Sequence, residues 1–81
     1  MCEELVRFIK EELNPYLKRV RLAFESEGEY LRAAQIVELE ETFAEILEDI
    51  DSRMMDEWEC GELYEEFKRY RESGEFLDKI C

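Results

Sequence analysis

Histidine is absent from this chain of 81 residues, and proline, tryptophan, glutamine and asparagine occur once each. Without histidine there is no Glu-x-x-His metal site of the ferritin-like kind and no histidine general base. Three cysteines, none in a Cys-x-x-Cys pair, argue against zinc. No apolar run approaches the roughly 18 residues of a membrane-spanning helix, so no membrane association is expected. The acidic N-terminus, Met1-Cys2-Glu3-Glu4, lacks the basic-then-apolar order of a signal peptide. A cytoplasmic location is therefore expected. No nucleophile–base pair, phosphate loop or nucleic-acid motif is visible, so the chain does not read as an enzyme.

Scarce Gly and Pro, with abundant Glu, Leu and Arg, favour helix. The high charged fraction with almost no Gln or Asn is thermophile-like. Eighty-one residues make one domain, 1–81. A chain this small buries only about 60% of its unfolded surface, so well-packed helices, a disulfide or a partner must help.

The net charge of −12 is uneven. Residues 33–62 hold 11 acids and one base, Arg53, and so contribute −10. This balance repels nucleic acid and anionic membranes and favours cationic partners.

Apolar residues recur at helical spacing in three segments. In the first, Leu5, Ile9, Leu13, Tyr16, Val20 and Ala23 form a face that continues across Asn14-Pro15. Proline lacks an N–H and disfavours helix before it, so either a kink at Pro15 or two short helices, 2–13 and 15–26, is expected, and the continuous face favours the kink. Gly28 suits a left-handed helix stop, and Ser26 with Glu29 fits a capping box. The second helix, expected over 29–56, has the seam Ile36, Leu39, Phe43, Ile46 and Ile50. The third begins near Cys60 with Cys60, Leu63, Phe67, Tyr70, Gly74, Leu77 and Cys81 as a coiled-coil seam. Gly74 is expected to be a weak point in it and not a stop. The pattern is all-α: an antiparallel three-helix bundle with its first helix kinked at Pro15. Apolar positions outnumber what one such core needs, which points to assembly into a larger helical dimer.

In an up-down-up bundle Cys2 and Cys60 share one end. A disulfide between them is geometrically allowed and would stabilise by roughly 4 kcal/mol. Free thiols are the default in an ordinary cytoplasm, and a hyperthermophile is the exception. Cys81 is left over.

Glu38, Glu41, Glu45 and Glu48 form a ladder of like charge on one side of the second helix, with no base between them. Neighbours three and four apart repel. Lys18, Arg19, Arg21, Lys68, Arg69 and Arg71 are the intramolecular bases that would relieve the ladder, and a basic partner surface is the alternative. One pole collects Asp49, Asp51, Asp56, Glu57, Glu59, Glu62, Glu65 and Glu66. The other collects Lys18, Arg19, Arg21, Arg32, Arg71 and Lys79. Tyr30, Trp58, Tyr64 and Phe76 fall outside the cleanest seams and suit a buried contact with a partner.

Glu59-Cys60-Gly61-Glu62, followed after twelve residues by Glu75-Phe76-Leu77-Asp78, resembles part of the Glu-Glu-x-x-Glu … Glu-x-x-Asp pattern of MazG-like all-α nucleotide pyrophosphohydrolases. Trp58 stands where that pattern has its first glutamate. The resemblance implies Mg²⁺ held by Glu59, Glu62, Glu75 and Asp78.

The expectation is an acidic helical protein–protein interaction module, homo-oligomeric and needing no cofactor. Its partner is itself or a protein with a basic or apolar surface. Two alternatives stand beside it: an acidic nucleic-acid mimic that occupies a basic protein groove, and a fragment of the Mg-dependent hydrolase type.

Overall fold

The computed structural model describes residues 2–74. Helix accounts for 88% of them and strand for none. Three helical rods carry the chain. The first is continuous and comprises α1 (Cys2–Phe8), a π-helical turn (Ile9–Leu13) and α2 (Asn14–Ser26). The second is α3 (Tyr30–Asp51), and the third is α4 (Glu57–Ser73).

At Pro15 the backbone shows a wider turn and not a break. The Asn14 N–H donates to the Ile9 carbonyl, one residue further back than in an α-helix. The helix thereby accommodates a proline that cannot donate and that crowds the preceding turn. The wider turn also changes which residues are buried. Leu5, Ile9, Leu13 and Leu17 are all fully buried, in strict steps of four. In a regular α-helix, steps of four drift by about 40° each. The extra residue in the π turn cancels part of that drift. Leu17 therefore enters the core, Tyr16 and Val20 are only half-buried, and Ala23 is exposed, which corrects the expected seam.

In α3, Ala33, Ile36 and Phe43 are buried, and Leu39, Ile46, Leu47 and Ile50 pack beside them. In α4 the inward face is Cys60, Leu63, Phe67 and Tyr70. No polar or charged residue is buried among the described residues. The rings of Phe43 and Phe67 meet edge-on at 5.0 Å and join α3 to α4.

Rod directions follow from side-chain pairs. Cys2 joins Cys60, Phe8 packs on Tyr64 at 5.4 Å, and the Arg71 guanidinium lies 4.0 Å over the Tyr16 ring. Both partners advance together, so α4 runs parallel to the first rod. After the tight turn at Glu27–Glu29, α3 runs antiparallel to α2, with Arg21 bonded to Glu40 and the Arg32 guanidinium 5.9 Å from the Phe24 ring centroid.

Several boundaries differ from expectation. The second helix stops at Asp51 and not at 56. The third starts at Glu57, capped by the Asp56 carboxylate, which accepts from the Glu59 N–H at 2.8 Å. Ser26 caps nothing downstream: its hydroxyl donates back to the Ala23 carbonyl at 2.9 Å. Gly74, at φ 77°, ends α4 outright, because a left-handed residue cannot continue a right-handed helix. Leu77 and Cys81, the last two positions of the expected seam, lie outside the described residues, as do Glu75, Phe76 and Asp78.

Candidate functional site

The seam of α3 faces the other rods, and this alone dictates the placement of the acidic ladder. Glu38, Glu41, Glu45 and Glu48 fall opposite the buried stripe, and all four are exposed. Among the described residues, none is within 4.0 Å of a basic group. Of the bases expected to relieve them, Arg21, Arg69 and Arg71 are engaged elsewhere. Arg21 Nε bonds Glu40, which is not a ladder residue, at 2.8 Å, and its Nη1 reaches Glu25 at 3.4 Å. The Glu40 hydrogen bond and charge, reinforced by Glu25, hold the Arg21 guanidinium above its usual pKa. Arg71 covers Tyr16, and Arg69 lies 5.7 Å from the Tyr70 ring centroid. Helix register explains this outcome. A base on a neighbouring rod meets the flank of α3, where Glu40 sits, and cannot reach the side turned away from the contact.

Trp58 and Tyr64 separate. The Tyr64 ring is half-buried against Phe8. Trp58 is 70% exposed and opposite the buried stripe of α4. It lines an open groove of about 660 Å³ with Glu57, Gly61, Glu62, Glu65, Glu66 and Arg69, none of them a ladder residue. Reasoning from sequence missed this groove, although the spacing Trp58, Glu62, Glu65, Arg69 in steps of four, three and four marks one helix face.

Among the described residues, several large apolar side chains on α2 and α3 are also exposed. Leu31 is 85% exposed, Tyr30 70%, Leu22 49% and Val37 40%. Tyr30 is among the residues expected off the seams, whereas the exposure of Leu22, Leu31 and Val37 is not evident from the spacing alone.

Cys2 and Cys60 form a disulfide that ties the start of α1 to the start of α4. Glu59 and Glu62 are both exposed on α4. Among the described residues, no cluster of acids and cysteines is arranged to hold a metal, and the other half of the Mg²⁺ pattern lies outside them. Among the described residues, no helix is long and apolar enough to cross a membrane. No protein-family model, curated protein or solved structure matches the chain.

Proposed function

We propose that the chain is a small acidic protein–protein interaction module without catalytic activity of its own. In this reading it is an up-down-up three-helix bundle, bent at the π turn ahead of Pro15, that pairs with a second copy. The observation that carries the pairing is the apolar end formed by Leu22, Tyr30, Leu31 and Val37, with Leu31 85% exposed. Large apolar residues left open on a small domain suit a contact surface. Local charge does not oppose contact between copies there, because residues 16–37 hold three acids and four bases. The acidic pole lies at the far end. A two-fold contact at the apolar end would bury the same patch on both copies. Light scattering should report a dimer for the native chain and a monomer for Leu31→Lys. A native chain that stays monomeric at high concentration would remove this reading.

The unpaired ladder supports a second reading, in which the outer face of α3 enters a basic groove on another protein and stands in for an anionic polymer. That contact is between solvated charges, so its affinity falls steeply as salt rises. An affinity that does not respond to salt would count against it.

A further inference from the structure

The groove on α4 differs from the ladder because an aromatic ring stands in it. Trp58 is the chain's only tryptophan, and a ring of this size is rarely left 70% open on a small domain. Its helix neighbours three and four residues on are Gly61 and Glu62. Gly61 carries no side chain to shield the indole, and glycine inside a helix costs about 1 kcal/mol relative to alanine. Leaving aside Glu57, which is already engaged by a cationic group, three carboxylates, Glu62, Glu65 and Glu66, line the groove against one guanidinium, Arg69. Arg69 is drawn aside over Tyr70. Among the described residues, no ion pair engages Glu62, Glu65 or Glu66.

We propose that this groove is a docking site for a basic peptide segment of a partner protein. An arginine or lysine of that segment stacks its cationic head on the Trp58 indole, and the surrounding carboxylates take the flanking charges. The indole is the best aromatic face for a cation. Carboxylates around it exclude acidic competitors and steer basic ones. This rests on reading the chain as an interaction module, but not on its self-association, which uses the other end of the molecule.

Because Trp58 is the only tryptophan, fluorescence excited selectively at the red edge, where the four tyrosines do not absorb, reads this groove alone. The probe is a synthetic deca-arginine peptide, with the isosteric deca-citrulline peptide as the uncharged control. Deca-arginine should change the emission saturably at one peptide per chain, and deca-citrulline should not. By calorimetry, Trp58→Ala should weaken deca-arginine binding by about tenfold, in line with a desolvated cation–π contact. Glu62→Gln/Glu65→Gln should weaken it similarly. Glu41→Gln/Glu45→Gln removes the same charge from α3 and should change it by less than about twofold. All the substituted residues are exposed, so far-UV circular dichroism should be unchanged. Equal losses for the two double variants would show diffuse attraction to an acidic protein and overturn the proposal. So would unchanged affinity of Trp58→Ala. An emission change that follows the protein's own concentration without peptide would assign the groove to a second copy and also overturn it. Running the series in the Leu31→Lys background separates the groove from pairing at the apolar end.

Discussion

The two turns of the molecule use the same hydrogen-bond pattern with different residues at its critical position. After α2, Gly28 N–H donates to Glu25 O at 3.1 Å and Glu29 N–H to Phe24 O at 2.8 Å. After α3, Arg53 N–H donates to Ile50 O at 3.0 Å and Met54 N–H to Asp49 O at 2.9 Å. Both are Schellman closures, and each needs one left-handed residue. Gly28 supplies it at φ 77° without strain, whereas Arg53 supplies it at φ 60° against its own Cβ. The first turn is short and enters α3 at once. The second continues through Met55, packed against the core, to the Asp56 cap. The end of the molecule with the strained turn is also the end crossed by the Cys2–Cys60 disulfide. One end is closed by backbone geometry alone, the other by the same geometry and a covalent bond.

The largest test of that difference is to open the bond. The cysteines are 58 residues apart, and a loop of that length contributes about 4 kcal/mol by restricting the unfolded chain. Reduction, or Cys2→Ser, should lower the unfolding free energy by about that amount in denaturant melts. Hydrogen exchange should then show 57–63 opening before 30–36. Equal midpoints with and without reductant would mean that the bond holds nothing at that end.

Gly28→Ala tests the other end. A Cβ at Gly28 meets no atom within 4 Å, so the cost is conformational alone. A left-handed alanine costs about 1–2 kcal/mol. The loss should appear as a lower denaturant midpoint with an unchanged slope. A neutral substitution would show that the turn does not need the left-handed residue.

The same contrast explains what could be read from the chain. The first turn was legible because its left-handed residue is glycine. The second was not, because arginine carries no turn signal, and helix-favouring Glu and Leu on both sides extended α3 on paper to 56. Asp56 was legible in principle as an N-cap, but among so many acids it did not stand out. The α3 seam was read correctly because its period is regular. In the first rod, the burial of Leu17 in place of Tyr16 was not legible, since no sequence pattern announces a π turn. For the candidate surfaces, the ladder was evident from its spacing, but whether neighbouring bases reach it depends on rod register. Arg21 meets Glu40 instead. The openness of Trp58 and the burial of Tyr64 against Phe8 likewise depend on which side of α4 meets the first rod.

The smallest effect comes from making the two turns alike. Arg53→Gly removes a left-handed non-glycine residue whose strain is about 1–2 kcal/mol. Glycine also frees the unfolded chain, which offsets about 0.4–1 kcal/mol of that gain. Arg53 is exposed, and among the described residues it makes no ion pair that would be lost. Its charge is the only positive one among residues 33–62, so its removal leaves the acidic pole more repulsive. Strain relief and charge repulsion oppose each other, and only the second is screened. The net gain should therefore be about 0.5 kcal/mol at high salt and close to zero at low salt. A gain that is the same at both ionic strengths would show that strain alone governs this turn. A loss at high salt would show that Arg53 stabilises it by some means other than its backbone.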